Sequence, residues 1–404
     1  MQILRSLFHP TNFLGAAERP MLRKLIFVYV SVASVYIVAR YLREVSRGGQ
    51  VWTTGDWLIS YRAGFIRRGL TGSITYGLTD LTGIDALHVA AATQILVYAA
   101  LLASVLYMLS RLKMTVPVAL LAISPAFLLM AFFFPKLGMS KEMIGFLAVA
   151  LVGLTAFTRR NGSFFLGIAI FTASGFAHEI NAFLAPDLLA LLLILAGMKI
   201  IPKRQAWLAA LIVVLAAGSA ILTAMLYSGV GKGAALCQVI LSYGGWEEFC
   251  GKSGPTVWLD RDMAYGMQFT WDANVQSGIW PWFVVGWVLS MLPFFLFRVT
   301  DDPKGQGTRR VLFAACAGIL AYAPLFVIAS DWGRWIAMHA FCMTILTFVS
   351  LRLGLLGERN KDLSPVFLVF ALVWAMPDYG QPLTAGFLKK VGTAVTQIES
   401  FFRH

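Results

Sequence analysis

The sequence has few charged residues for its length. Asp, Glu, Lys and Arg make up 13% of its 404 residues, whereas a soluble domain carries about a quarter. Hydrophobic residues make up 58%, so too few charges remain to cover a water-exposed surface of this size. The composition argues against a soluble globular protein and predicts an all-α bundle of transmembrane helices.

The sequence also lacks the motifs of several enzyme and transporter classes. It contains no P-loop, no Gly-x-Gly-x-x-Gly that opens a helix and no Gly-x-Ser-x-Gly. His178 is not part of a His-Glu-x-x-His motif, so no metal site and no cofactor are expected, although a divalent metal beside a carboxylate remains possible. These absences argue against ATP-driven transport within this chain and against a nucleotide site of the soluble type.

Cysteine is scarce, with four residues in all. Cys237 and Cys250 lie in one long loop that we expect outside a bacterial inner membrane, where the compartment is oxidising, so a disulfide between them is predicted. It would close a loop of about 14 residues and contribute roughly 3 kcal/mol. Cys316 and Cys342 fall within apolar runs and are expected to be free thiols.

Long apolar runs are abundant, and many have the length of about 18–22 residues that crosses a hydrocarbon core of roughly 30 Å. They predict about 11 spans in a single transmembrane domain over residues 1–404. Long loops are expected at 42–85 and 228–278, and an amphipathic helix at 383–404. The expected spans are 25–41, 86–109, 116–134, 143–157, 164–177, 182–197, 206–227, 279–297, 311–328, 336–350 and 365–376.

The basic residues predict the orientation of these spans. When the N-terminus is placed in the cytoplasm, every connection on that side carries Lys or Arg, as the positive-inside rule requires. Most of the 20 acidic residues and both long loops then fall on the other side. Long, polar loops are where function concentrates. We therefore expect a multi-pass protein of the bacterial inner (plasma) membrane whose active face is extracytoplasmic.

Arginines gather in the first long loop, on the side where the positive-inside rule disfavours them. Arg62, Arg67 and Arg68 follow closely in sequence, and an arginine fork matches the oxygens of a phosphate. A lipid phosphate or pyrophosphate is therefore one expected counter-ion. The alternative is that these side chains only reach towards lipid head groups, or pair with nearby acids such as Glu44.

Aromatic residues and one acid share this loop. Trp57, Tyr61 and Phe65 recur at intervals of four, which predicts a helix lying in the membrane interface. Asp56 precedes them and has two interpretations. It is either the N-cap of that helix, or a carboxylate beside an arginine-rich pocket that removes a proton from a hydroxyl group or holds a metal ion.

Three tight turns on the same side carry further ionisable residues. Such residues at membrane depth are costly and usually face a bundle interior or a watery cavity. Each turn admits a simpler interpretation, in which neighbouring charges neutralise each other. A cavity shared by the first loop and the three turns explains better why all four segments carry ionisable residues on the same side of the membrane. The turn residues concerned are Lys141 with Glu142, His178 with Glu179, and Asp331 with Arg334.

This organisation resembles the GT-C superfamily of integral membrane glycosyltransferases. A first span, a long outer loop with an acidic residue and many spans joined by short inner turns carry the resemblance. The matching segments resemble those of membrane proteins from bacterial surface-polysaccharide clusters and fall within residues 25–340. They are Asp56-Trp57 to Gly69-Leu70, Ser140-Lys141-Glu142, His178-Glu179 and Asp331 to Trp335. The arginine-rich pocket without a metal is more similar to the O-antigen polymerase and ligase branch.

The resemblance implies transfer of a sugar from a polyisoprenyl-(pyro)phosphate donor to a glycan or lipid acceptor. Membrane lipids are the other expected partners, and no nucleic acid is expected. Asp56 is the expected base, with Glu179 or His178 second, although the usual second carboxylate beside Asp56 is missing. The phosphate-binding residues would be Arg62, Arg67, Arg68, Lys141 and Arg334, supported by Glu142 and Asp331.

Two other functions remain open from the sequence. A transporter or flippase of an anionic lipid-linked glycan would need polar residues along a path through the bundle. A non-catalytic subunit of a polysaccharide assembly complex would need no acid or base at all.

Overall fold

The computed structural model describes residues 20–128, 139–251, 254–300, 312–313, 315–316, 318–359 and 374–376. The expected amphipathic helix at 383–404 lies outside these residues, as do most of the expected span at 365–376 and parts of those at 116–134 and 311–328. Within the described residues the chain is mostly helical.

The α-helices of eight or more residues are numbered in chain order. They are α1 Pro20–Val45, α2 Leu70–Thr82, α3 Ala86–Ser110, α4 Val116–Ile123, α5 Glu142–Thr158, α6 Asn161–Ala177, α7 Ala185–Gly197, α8 Lys203–Leu226, α9 Gly233–Ser242, α10 Met263–Thr270, α11 Trp280–Met291 and α12 Trp332–Arg352. Shorter α-helices are Pro255–Leu259 and Ala323–Ile328.

The remaining elements are short. Strand β1 (Phe297–Val299) pairs antiparallel with β2 (Leu356–Glu358), so that Arg298 lies opposite Gly357. The 3₁₀ turns are Gly55–Leu58, Tyr61–Ala63, Glu179–Leu184, Glu247–Cys250, Leu292–Leu296 and Gly318–Tyr322, and Trp271–Gln276 is a π-helical turn.

Five helical segments of the described chain are long and apolar enough to cross a membrane, or six if one sharply bent pair counts as a broken span. The helices α5 and α6 are also apolar but have 17 residues each, slightly short of the usual length of about 20. The structure thus has the helices of a multi-pass membrane protein, and the larger number of spans expected from the sequence stays a prediction. The five segments are Pro20–Val45, Ala86–Ser110, Glu179–Gly197, Lys203–Leu226 and Trp332–Arg352.

The helices divide into a buried centre and an apolar periphery. In the most apolar stretch of α12, 89% of the residues are buried, against 22% in α8 and 33% in α1. The exposed faces of α8 and α1 carry large apolar side chains, among them Trp207, Val32 and Val35. Large apolar surfaces of this kind are unsuited to water and suited to lipid.

Close packing of α5, α6 and α12 forms the centre. A Cβ atom added at Gly153 of α5 would lie 2.7 Å from Cγ2 of Ile345 in α12. A Cβ atom at Gly167 of α6 would lie 2.8 Å from the carbonyl oxygen of Ala148 in α5. Small residues allow helix backbones to approach each other in this way. The packing brings the first residues of α5 and α12, and the residues that follow α6, to the same end of the bundle.

The first loop differs from its expected conformation. The predicted interfacial helix through Trp57, Tyr61 and Phe65 is wrong, because two short 3₁₀ turns occupy this segment. The Trp57 ring is buried and its indole N–H donates to the carbonyl of Met139 at 3.0 Å. Gly64 has a φ of 100°, which no helix accommodates. The contacts of Trp57 with the bundle therefore override the periodicity.

The second long loop covers the first. Cys237 and Cys250 form a disulfide with a Cα–Cα distance of 5.4 Å, which joins α9 to the following 3₁₀ turn. The fully buried Phe249 packs on Gly55, where an added Cβ would lie 3.0 Å from the ring. The disulfide therefore holds in place a segment that lies against the residue preceding Asp56.

Replacing both Cys237 and Cys250 with serine is expected to lower the free energy of unfolding by roughly 3 kcal/mol, because the open loop gains conformational entropy in the unfolded chain. Thermal unfolding of the detergent-solubilised protein measures the effect. Cys316→Ser is the matched control, since Cys316 is exposed and unbonded. A double variant that unfolds with the wild-type midpoint would show that the disulfide does not stabilise the loop.

Candidate functional site

Ionisable side chains from four separate segments meet at one end of the bundle. The first loop, the start of α5, the turn after α6 and the start of α12 each contribute at least two of them. Ion pairs between segments join the group. We call it the charge cluster, and it consists of Asp56, Arg67, Arg68, Lys141, Glu142, His178, Glu179, Asp331 and Arg334.

Glu179 is the centre of one half of the charge cluster. Arg68 donates from Nε to both carboxylate oxygens, at 3.0 and 2.9 Å, and from Nη2 to Oε1 at 2.7 Å. Arg67 donates to Oε1 from Nη1 at 3.2 Å and to the carbonyl of Ser228 from Nε. Arg68 has a φ of 66°, uncommon for a residue other than glycine. Glu179 is therefore the shared counter-charge of both arginines and fixes their orientation.

Asp56 lies beside this group. Its Oδ2 is 3.5 Å from Nζ of Lys141, and its Oδ1 is 3.8 Å from Nη1 of Arg68. Oδ1 is buried and accepts no hydrogen bond from the described part of the chain. The N-cap interpretation of Asp56 is wrong, because Thr54 occupies the N-cap position of the 3₁₀ turn. Asp56 is thus a carboxylate with one oxygen still able to accept a proton or a hydrogen bond.

Lys141 forms the floor beneath Asp56. Its side chain is fully buried, and its ammonium group donates to the carbonyl of Arg68 at 3.0 Å. Burial lowers the pKa of Lys141 to about 8, and the Asp56 carboxylate opposes this shift. The simple pair of Lys141 with Glu142 does not occur among the described residues. Lys141 instead links the first loop to the start of α5.

Glu142 and Arg334 form the other half. Arg334 Nη1 donates to Glu142 Oε1 at 3.0 Å and lies 3.5 Å from Asp331 Oδ2. The local pair of Asp331 with Arg334 is therefore present, but Arg334 also joins α12 to α5. His178 connects the two halves, with Nε2 3.9 Å from Glu142 and Nδ1 3.6 Å from Glu179.

His178 is buried, with 3% of its side chain exposed, and its Nδ1 accepts a hydrogen bond from the backbone N–H of Ile180. Burial, together with the charge of Arg68, lowers the pKa of His178 to about 4. The ring is therefore neutral at pH 7 and lies between Glu142 and Glu179. Of the three expected bases, Asp56 alone combines partial exposure with a carboxylate oxygen outside an arginine fork.

The neutral ring of His178 makes stability depend on pH. Its pKa is about 4 in the folded protein and about 6.5 in the unfolded chain, so between these values the unfolded chain binds more protons. The free energy of unfolding therefore decreases as the pH falls through this window, by on the order of 1 kcal/mol per pH unit. Unfolding of wild type and His178→Asn across the window measures the slope. The role of His178 would be contradicted if His178→Asn lost stability in acid as steeply as the wild type. An equal reduction of the slope in His88→Asn would also contradict it.

The charges of the cluster balance. Four basic residues face four carboxylates while His178 is neutral. The buried floor consists of Lys141, Glu142 and His178, whose side chains are at most 3% exposed. The side chains of Asp56, Glu179, Arg334, Arg68 and Arg67 are between 10% and 23% exposed, and that of Asp331 is 39% exposed. The cluster thus has a closed floor and an accessible rim of arginines and carboxylates.

Arg62 lies apart from the charge cluster. It forms an exposed ion pair with Asp80, and its guanidinium group lies over the ring of Tyr243, which also bonds to Asp80. The expected phosphate-binding role of Arg62 is therefore not supported by its position, whereas Arg67, Arg68, Lys141 and Arg334 lie together. In the described part of the chain, no group of three or more His, Cys, Asp or Glu could hold a metal ion.

A second polar group lies deeper in the bundle. The hydroxyl group of Tyr322 donates to Asp187 Oδ2 at 3.0 Å, and His339 Nδ1 lies 3.8 Å from Asp187 Oδ1. All three side chains are buried. The sequence did not predict this contact. The sequence feature that could have indicated this group is Asp187, an ionisable residue within an expected span.

Comparison with protein-family models, with curated proteins and with solved structures finds no match to this chain. The resemblance to the GT-C superfamily therefore depends on the short sequence motifs described above.

Proposed function

We propose that this protein is an integral membrane glycosyltransferase of the bacterial inner membrane. It would transfer a sugar from a polyisoprenyl-(pyro)phosphate donor to a glycan or lipid acceptor at the extracytoplasmic face. The observation that carries the proposal is the position of Asp56. Its side chain is 10% exposed and lies beside the arginines of the rim, and its buried Oδ1 accepts no hydrogen bond from the described residues.

The proposed reaction needs an anion site and a base close together. The acceptor hydroxyl oxygen bonds to the anomeric carbon, while the bond from that carbon to the donor phosphate oxygen breaks and its electron pair stays on the phosphate. Asp56 takes the proton of the hydroxyl group. Negative charge grows on the departing phosphate, where the N–H groups of Arg67, Arg68 and Arg334 stabilise it.

Glu179 prepares the arginines for this task. It engages Nε and Nη2 of Arg68 and Nη1 of Arg67, so both guanidinium groups are held before a donor arrives. Nη1 of Arg68 remains directed towards Asp56 at 3.8 Å. Hydrogen-bonding groups that are already oriented cost less entropy and less reorganisation when a charge develops beside them. The neutral balance of the cluster also explains how so many charges lie together at the end of an apolar bundle.

The direct test uses the full chain reconstituted in lipid with a polyisoprenyl-linked sugar donor. Release of the polyisoprenyl phosphate and formation of the new glycosidic bond are measured together. Asp56→Asn and Arg68→Ala, made separately, are expected to slow both by about 100-fold or more, and to deplete surface glycan in cells without the native copy. Intact glycan in both variant strains would refute the proposal, and would leave a non-catalytic subunit of an assembly complex.

A flippase is the second candidate, and the buried group of Asp187, Tyr322 and His339 favours it. These residues place polar atoms inside the bundle, as a translocation path would require. The same reconstitution distinguishes the two functions, because translocation moves a labelled lipid-linked glycan between leaflets without cleaving it. A flippase would lose this movement in Asp187→Asn, whereas a transferase would show bond cleavage and no movement.

A further inference from the structure

A group of arginines lies at the opposite end of the bundle from the charge cluster. The helix α5 runs from Glu142 in the cluster to Thr158, a distance of about 25 Å at 1.5 Å per residue. Here α3 and α12 also end, close to the connection between α5 and α6. A cavity of about 360 Å³ opens between them, lined by Tyr107, Arg111, Phe157, Thr158, Arg160 and Arg352.

The charges that line this cavity do not balance. Three arginines from three separate segments face it, and among the described residues no carboxylate does. In the part of the chain that the structure describes, the side chains of Arg111, Arg160 and Arg352 form no ion pair and no hydrogen bond. The charge cluster is the opposite case, since each of its arginines contacts a carboxylate. The cavity therefore carries three positive charges that attract an anion.

Aromatic rings orient two of these arginines. The guanidinium carbon of Arg111 lies 5.1 Å from the centre of the Tyr107 ring, and that of Arg352 lies 5.9 Å from the Phe157 ring. A guanidinium group that contacts a ring through its face keeps its N–H donors in the plane, available for other partners. Planar N–H forks match the oxygens of a phosphate group better than those of a monatomic anion.

The positions of the arginines at helix ends account for only part of this arrangement. A basic residue is stabilised near the carbonyl groups at a helix C-terminus, which applies to Arg111 after α3 and to Arg352 in α12. This effect acts on each helix separately and does not require the side chains to line one cavity. Their convergence brings like charges together, and an anion between them removes that repulsion.

We propose that this cavity binds a phosphate-bearing anion through Arg111, Arg160 and Arg352. The volume suits a single head group and not a large ligand. The phosphate belongs either to an anionic phospholipid of the surrounding leaflet or to a soluble phosphate compound. This site is independent of the glycosyl transfer proposed above, and it lies beyond the reach of Asp56.

Two probes test the proposal on the full chain. Phosphatidylglycerol in phosphatidylcholine nanodiscs, followed by native mass spectrometry, counts the anionic lipid retained per chain. Inorganic pyrophosphate, titrated into the detergent-solubilised protein, tests the soluble source. Wild type is expected to bind one of the two, and Arg111→Gln/Arg352→Gln is expected to bind it about 100-fold more weakly, because two charged contacts are lost.

The matched control removes two charges outside the cavity, by Lys203→Gln/Arg204→Gln at the start of α8. It is expected to bind like wild type. If wild type and the control retain the lipid and the arginine variant loses it, the phosphate comes from a phospholipid. If wild type and the control bind pyrophosphate and the arginine variant binds it weakly, the phosphate comes from a soluble compound. Binding of neither probe by wild type, or equal weakening in both variants, would overturn the proposal. If the glutamine variant does not fold, Arg111→Lys/Arg352→Lys repeats the test, since lysine lacks the planar fork.

Discussion

Replacing Glu179 with glutamine is expected to destabilise the protein by about 3–5 kcal/mol, the usual effect of removing one partner from a buried ion pair. Glu179 is the shared counter-charge of Arg67 and Arg68. Glutamine keeps the size of the side chain but leaves two neighbouring guanidinium groups with one carboxylate, Asp56, 3.8 Å from Arg68. The free energy of unfolding in detergent, measured with a chemical denaturant, records the change.

Asp80→Asn is the matched control for this experiment, because Asp80 also pairs with an arginine of the first loop, Arg62, but on an exposed surface. No measurable change is expected there. A second variant, Arg68→Gln, and the double variant with Glu179→Gln complete a mutant cycle. The double variant is expected to lose less unfolding free energy than the two single variants lose in sum, because it removes both charges together. Additive effects, or a Glu179→Gln variant as stable as Asp80→Asn, would show that the pair does not organise the cluster.

Replacing Asp56 with asparagine is expected to lower the rate of sugar transfer by about 10²–10⁴-fold, the usual contribution of a general base. Asparagine has almost the same shape but cannot take a proton from the acceptor hydroxyl group. The contact of Lys141 with the carbonyl of Arg68 does not depend on Asp56, so the arrangement of the floor is expected to persist. Formation of the glycosidic bond under single-turnover conditions isolates the chemical step.

Asp80→Asn again provides the comparison, as a carboxylate of the same loop that lies outside the charge cluster. Its rate of transfer is expected to equal that of wild type. Binding of the donor by Asp56→Asn is expected to remain, because the arginines of the rim are unchanged. A wild-type rate in Asp56→Asn would exclude this residue as the base and direct attention to Glu179.

Hydropathy and charge predicted much of this structure. The apolar runs predicted the long helices α1, α3, α8 and α12, because only continuous apolar stretches of that length suit a membrane. Ionisable residues beside such runs also indicated which segments were important, since they are costly at membrane depth. The sequence thus predicted the segments of the candidate site, but it did not predict how their side chains pair.

Local spacing explains which pairs could be predicted. Asp331 and Arg334 are three residues apart at the start of a helix, where such residues face each other, and they are in contact. Lys141 and Glu142 are adjacent, and adjacent residues on a helix point in different directions. Lys141 therefore contacts Asp56, and Glu142 contacts Arg334. These partners are distant in the sequence, and they come close only because α5 packs against its neighbours.

The basic cavity shows the same limit at the other end of the bundle. Arg111, Arg160 and Arg352 are far apart in the sequence, and each one served there as a signal of orientation. Their convergence depends on three helices ending at one place. Nothing in the sequence around these three residues indicates that they lie close together.

The central claim is that the rim of the charge cluster holds the phosphate of a lipid-linked donor beside Asp56. An electron cryo-microscopy structure of the full chain in nanodiscs with a polyisoprenyl pyrophosphate tests it most directly. Density for a phosphate within hydrogen-bonding distance of Arg67, Arg68 or Arg334, with Asp56 as the nearest carboxylate, is the expected result. Density along a path through the bundle near Asp187, with none at the rim, would contradict the claim.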